Sequence, residues 1–214
     1  MQKPLAVAIY RLSVGMVALG TVIAQTVNGF FHPPFDYPNY FSFFSIQGNL
    51  FAAFVLTASA VRTFRGGRGD NLTFWRGAAT LYLTLAGTVY FVLLRGSDEG
   101  WRTPGEQTNA VLHYLVPAAL LADWWLTPGA RIAFRSALLW LAYPLIFVLY
   151  SLLRGRFTGW YPYPFLDAPT AGYPGIVMVC LVMAAAMIAF ITLMTGTTAR
   201  RAETKPRESS SAPI

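Results

Sequence analysis

Asn109–Leu126 reads NAVLHYLVPAALLADWWL, an apolar run long enough to enter a bilayer, with a histidine near one end and an aspartate near the other. A histidine inside such a run is costly, and residues of this kind line cavities or do chemistry. Pro117, four residues after His113, lacks the N–H that would bond the His113 carbonyl, so the helix opens beside the imidazole. A simple kink is the competing reading of Pro117. The chemistry open to His113 is that of a general base, and a base needs a nucleophile. Tyr40–Leu50, YFSFFSIQGNL, offers one. Ser42, Ser45 and Asn49 fall on one helical face by the i, i+3 and i, i+4 rule. Ser45 lies about as deep in its helix as His113 does in its own. A serine is a weak nucleophile until a base within hydrogen-bond reach takes its proton. Serines in membrane helices also bond the i−4 carbonyl or hold helices together, and that structural role competes with the catalytic one.

The elements that carry these groups are membrane spans. Hydrophobic residues make up 55% of the 214 and charged residues 12%, with a mean hydropathy of +0.47. That charge fraction is about half the usual one for soluble domains, and no room is left for a second, soluble domain. A span needs about 20 apolar residues. Six candidates appear, at 5–27, 41–61, 74–94, 109–126, 132–153 and 175–194. The chain is therefore expected to be all-α, a polytopic bundle of six transmembrane helices over residues 1–196. Residues 197–214 are polar, charged and Ser-rich, which predicts a disordered cytoplasmic tail. Val22-Ile23-Ala24 resembles a signal-peptide cleavage site. The length of the first run and Arg11 within it favour a retained helix.

Orientation follows from Lys and Arg. With the N-terminus cytoplasmic, eleven of them fall inside and four outside, leaving out Arg11 within a span. Both termini are expected to be cytoplasmic. The net charge of +7 follows this membrane pattern, so nucleic acid is not an expected partner. Membrane lipids are, and the oligomeric state is open. Cys180 is the lone cysteine, which excludes an intrachain disulfide. LLRGSDEGW at Leu93–Trp101 echoes LLRGRFTGW at Leu152–Trp160. Each Leu-Leu-Arg-Gly is expected to end its helix on the glycine.

The remaining polar residues divide by depth. Asp123 lies about 15 Å along the helix from His113. It cannot orient that ring, and pairing with Arg11, Arg62 or Arg135 is expected instead. Asp36 and Asp167, on outer loops, are better placed to orient a base, or are plain turn residues. His32, beside Pro33 and Pro34, reads as a loop residue. The two histidines and outer acids have no metal-ligand spacing, so no metal is expected. No phosphate loop, GxSxG elbow or zinc motif is present.

Three stretches carry a family resemblance. Phe44-Ser45-Ile46-Gln47-Gly48-Asn49-Leu50 matches a second-helix entry F-S/T-I-Q-x-N-L. His113, Pro117 and Asp123-Trp124 match a fourth-helix pattern H-x3-P-x5-D-W. Tyr143-Pro144, Leu153-Arg154-Gly155 and Gly159-Trp160-Tyr161-Pro162-Tyr163-Pro164-Phe165-Leu166-Asp167 match a signature after the fifth helix. In these the chain resembles the bacterial six-helix membrane proteins of the Pr6Pr family. More distantly it is similar to the eukaryotic androgen-induced and androgen-dependent membrane threonine hydrolases of fatty acid esters of hydroxy fatty acids. The resemblance implies a multi-pass protein of the bacterial inner membrane. It places the catalytic hydroxyl on Ser45, where the eukaryotic proteins carry Thr, and the catalytic histidine on His113. A lipid-ester hydrolase without cofactor is then expected, with a fatty-acyl ester as substrate class. Gln47 and Asn49 are candidates to bind the oxyanion. Arg95 and Arg154 are candidates to hold a substrate carboxylate. The alternative is a non-enzymatic membrane protein that binds a lipid or partner, or a small transporter.

Overall fold

Long apolar stretches between Gly- and Pro-rich loops leave the backbone one economical choice, the helix, in which every interior N–H and C=O is paired locally. The computed structural model describes residues 2–67, 72–95, 106–127 and 129–203. Among them there is helix and no strand. In chain order the elements are α1 (Gln2–Phe31), α2 (Tyr37–Phe41), α3 (Phe44–Phe64), α4 (Thr73–Val89), α5 (Glu106–Ala110), α6 (Val116–Leu126), α7 (Phe134–Ala137), α8 (Ala142–Thr158) and α9 (Ala168–Glu203). A π turn, Tyr90–Leu94, extends α4, and a second, Val111–Leu115, joins α5 to α6. A 3-10 turn at Leu138–Leu141 joins α7 to α8, so that Phe134–Thr158 reads as one span.

Among the described residues five helices are long and apolar enough to cross a membrane: Pro4–Phe31, Phe44–Phe64, Thr73–Leu94, Phe134–Thr158 and Ala168–Thr197. The sixth expected span, 109–126, lies in the unbroken helical run from α5 to α6. Its Asn109, His113 and Asp123 make it less apolar than the five. α1 packs along α3, α3 on α4, and α4 on α6. The core between them holds Leu56, Leu81, Leu83, Leu120, Trp140 and Met194, all 2% exposed or less. The outward faces are also apolar: Phe54, Leu145, Leu149, Met178 and Leu181 are 59–73% exposed. Contiguous exposed hydrophobics are a liability in water and ordinary against lipid tails. The architecture is compatible with an integral membrane protein.

Several boundaries differ from the sequence expectation. α3 begins at Phe44 because Phe43 is extended, with φ −74° and ψ 134°. Ser42 is therefore not on its face. It caps α2, donates to the Pro38 carbonyl at 2.6 Å and pairs with the Tyr150 hydroxyl at 2.9 Å. α8 does not end on Gly155. It runs on to Gly159, whose φ of 69° suits a residue without Cβ. Gly155 instead lies under the Tyr161 ring, where a Cβ would come within 2.1 Å of a ring carbon. The echo's first copy continues into residues 96–101, outside the described residues. α9 breaks at Gly172 and then continues to Glu203, beyond Thr197 where the tail was expected to begin. Residues 204–214 lie outside the described residues.

Candidate functional site

Polar side chains gather at two levels of the bundle. The first is at the Asp123 end. Arg11 of α1 donates from Nε to Asp123 Oδ1 at 2.8 Å. Arg76 of α4 donates from Nε to Asp123 Oδ2 at 2.7 Å, and its Nη2 lies 2.5 Å from the same oxygen. Arg11 also donates to Ser59 Oγ at 2.8 Å and to Thr127 Oγ1 at 3.0 Å. Arg76 donates to Thr127 Oγ1 at 2.9 Å. All three charged groups are buried, with exposures of 5% for Arg11, 1% for Arg76 and 3% for Asp123. One carboxylate is thus shared by two guanidiniums, and α1, α3, α4 and α6 are tied together there. Of the three partners expected for Asp123, Arg11 is the one found. Arg76, one of the eleven Lys and Arg counted on the inner side, is not among those three; its place inside the candidate span 74–94 is the available signal.

The second level lies about 21 Å away along α3, measured from Ser59 to Ser45 at the helical rise. Ser45 stands on the first turn of α3, and His113 stands at the centre of the second π turn. Both are buried, and both line one cavity of about 70 Å³ between α3, α4, α8 and α9. On that measure a water needs about 10–15 Å³, so the cavity holds a handful of heavy atoms. The rest of the wall is mostly apolar, from Leu85, Val89, Phe147, Val148, Phe165 and Met183, with the Cys180 thiol among them.

The local chain explains how His113 reaches this wall. Pro117 offers no N–H to the His113 carbonyl. Here the backbone widens, and the Val116 N–H bonds the Val111 carbonyl in π fashion. Such π turns occur often at functional sites. The facing helix has its own, where the Arg95 N–H bonds the Tyr90 carbonyl at 2.8 Å. Tyr90 stacks on the imidazole, with centroids 4.3 Å apart and planes at 18°. Gly87 allows this approach: a Cβ there would stand 2.5 Å from the His113 carbonyl oxygen. Nδ1 of His113 is buried and has no hydrogen-bond partner among the described residues.

Tyr163, which sequence reasoning names only within the stretch Gly159–Asp167, is the third polar group of the cavity. Its oxygen accepts the Phe44 N–H at 3.1 Å. Ser45 lies beside the same oxygen. The ring is held by a parallel stack on Phe165 at 5.1 Å and by Phe43 at 5.8 Å.

The other candidate residues are placed around this centre rather than in it. Asn49 is fully buried and donates from Nδ2 to the Ser45 carbonyl at 2.8 Å and to the Leu112 carbonyl at 3.4 Å. It staples the residue before His113 to the residue that carries the hydroxyl. Gln47 donates to the Phe41 carbonyl at 2.9 Å and accepts from Tyr143 at 2.8 Å. Asp36 caps α2 through Asn39, accepting from its N–H at 2.9 Å and its side chain at 2.6 Å. Asp167 accepts from the Thr170 hydroxyl at 3.2 Å, at the start of α9. Arg154 donates to Asn39 Oδ1 at 2.6 Å and lies over the Trp160 ring at 4.6 Å. Arg95 is exposed, over Phe91 at 5.3 Å, and follows Leu94 of the cavity wall. His32 bonds the Asn28 carbonyl at the end of α1 at 2.9 Å.

The arrangement offers a hydroxyl, an imidazole and a phenol in one small apolar chamber, and it holds them by groups committed elsewhere. No family model, no curated protein and no solved structure matches this chain.

Proposed function

We propose that the chain is a lipid-ester hydrolase of the membrane, with Ser45 as nucleophile and His113 as base. It is read as a six-span protein of the bacterial inner membrane with both termini cytoplasmic, related to the Pr6Pr family on the motifs around Ser45, His113 and Asp167. One observation carries the reading: residues from two separate helices, a hydroxyl and an imidazole, line the same apolar cavity. A buried serine and histidine that served packing alone would have no need to share a void. A cavity of about 70 Å³ suits an ester group and the first methylenes of its chain, with the remainder of the lipid left in the bilayer. Arg95, next to the wall residue Leu94, is the cation placed to hold an anionic substrate group. Asn49 contributes by position, and no cofactor is called for.

The test is hydrolysis of long-chain lipid esters by the purified protein in micelles, comparing wild type with Ser45→Ala and His113→Ala. Loss of turnover in both variants is expected, and equal rates in all three sink the reading. A non-enzymatic lipid-binding role is the second reading, favoured by the mostly apolar wall of the cavity. Labelling by a serine-directed phosphonate that disappears in Ser45→Ala decides for the enzyme, and absence of labelling decides for the binder.

A further inference from the structure

The Tyr163 phenol is the polar group of the cavity that a serine–histidine pair leaves unused. It performs an uncommon task in the fold. Phe44 and Ser45 open α3, and the first N–H groups of a helix have no partner within it. Phe43 supplies no side-chain cap. The phenol oxygen fills that place from 119 residues farther along the chain, accepting the Phe44 N–H with Ser45 beside it. A phenol whose lone pairs are turned to a helix N-terminus must direct its own proton elsewhere. Tyr163 lines the cavity with Ser45 and His113, so that proton is left for a group inside it. The helix N-terminus also draws charge from the oxygen, and a polarised chain of this kind strengthens the O–H as a donor. Burial pushes the Tyr163 phenol up to about 12 even against the bonds from Ser45 and Phe44. At neutral pH it is therefore a donor and not a base.

We propose that Tyr163 is the oxyanion donor of the site, its O–H bonding the substrate carbonyl oxygen as negative charge develops there. This rests on the ester-hydrolase reading above. The Ser45 hydroxyl turns from Tyr163 to His113, which takes its proton as the Oγ–C bond forms. The carbonyl π pair moves onto the oxygen facing Tyr163. On collapse the C–O bond to the alcohol breaks, and the imidazolium returns the proton to the leaving alkoxide. Water then repeats the sequence against the acyl-serine and releases the carboxylic acid. Tyr163 keeps its proton throughout. Gln47 and Asn49 do not fill this place: neither lines the cavity, and their amides donate to the carbonyls of Phe41, Ser45 and Leu112.

The test uses the full chain in micelles, following ester turnover and thermal unfolding together in wild type, Ser45→Ala and Tyr163→Phe. Loss of one oxyanion donor lowers kcat by about 100- to 1,000-fold, and KM is expected to stay close to wild type. A role confined to capping α3 lowers the melting temperature and leaves kcat of the folded protein unchanged, which overturns the proposal. Should the Phe variant fail to fold, a fluorotyrosine at 163 keeps ring and hydroxyl but is a stronger acid. The titratable groups around the phenol are His113, Cys180 and Tyr143. With these unaltered, the alkaline loss of kcat is expected at lower pH, because a phenolate cannot donate. An unmoved alkaline limb overturns the proposal. Wild-type turnover that depends on Ser45 but not on Tyr163 overturns this inference alone. No wild-type turnover, or turnover that survives Ser45→Ala, overturns both it and the hydrolase reading.

Discussion

Replacing Asp123 by Asn tests the charge cluster at the far level of the bundle. The change is nearly isosteric, so packing is preserved and the electrostatic part is isolated. It leaves Arg11 and Arg76, 5% and 1% exposed, facing an amide where they had a shared carboxylate. Three contacts at 2.8, 2.7 and 2.5 Å lose their charge assistance. Breaking a buried ion pair from one side costs about 3–5 kcal/mol, because the surviving charge stays buried. Here two cations survive, which places the expected loss at the upper end of that range. Against a total stability of about 5–15 kcal/mol, this is a large share. For a chain of this length that upper end, about 5 kcal/mol, corresponds to roughly 10–20 °C in melting temperature. The assay is thermal and denaturant unfolding of the purified protein in one detergent, followed by circular dichroism. The triple variant Arg11→Met, Arg76→Met, Asp123→Leu is the control. Removing all the charges together is often neutral or stabilising by about 1–4 kcal/mol. A loss below about 1 kcal/mol in Asp123→Asn would refute the account of the cluster. So would a triple variant as unstable as the single one.

Two further perturbations bear on the cavity level. Gly87→Ala gains about 1 kcal/mol of helix propensity, but its Cβ meets the His113 carbonyl oxygen at 2.5 Å, and overpacking of this kind costs about 1–3 kcal/mol. The net expectation is a lower melting temperature together with slower ester turnover, both measured on the same preparation. Asn49→Leu removes both amide donors of the staple between α3 and the second π turn. Taking the side-chain donor from the Leu112 carbonyl is expected to cost about 1–3 kcal/mol, and turnover is expected to fall with KM little changed.

The helical class, the places of five long apolar helices and the pairing of Asp123 with Arg11 could be read from the order of residues. They rest on apolar length and on the cost of an isolated buried charge, both local properties. Ser45 and His113 could be nominated by depth, but their meeting at one cavity depends on how four helices pack. Arg76 was one step harder. Its place near the start of a span made it look like a flanking cation, and only the close approach of α4 to α6 turns it onto Asp123. Tyr163 could not be distinguished at all. It stands among Trp160, Tyr161 and Phe165, and nothing in that composition separates an interfacial tyrosine from one that caps a helix 119 residues away. Gly155 and Gly159 show the same limit on a small scale. Both are glycines near a helix end, and the one with positive φ was chosen by the packing of Tyr161.

The paired π turns have a consequence for how this site can change. A π turn holds one residue more than an α-helix of the same rise, and one residue is about 100° of rotation. Val111–Leu115 therefore acts as a phase shift between two helical ladders, with Asn109 read in one phase and Asp123 in the other. Straightening that turn into a plain α-helix with every residue kept would turn one ladder against the other by about a quarter turn. The imidazole could then face the cavity or the carboxylate could face its two arginines, but not both. The register of one helix is thus the hidden variable that lets a charge clamp and the cavity share it, and a change that lets the π turn relax to α bears on both at once.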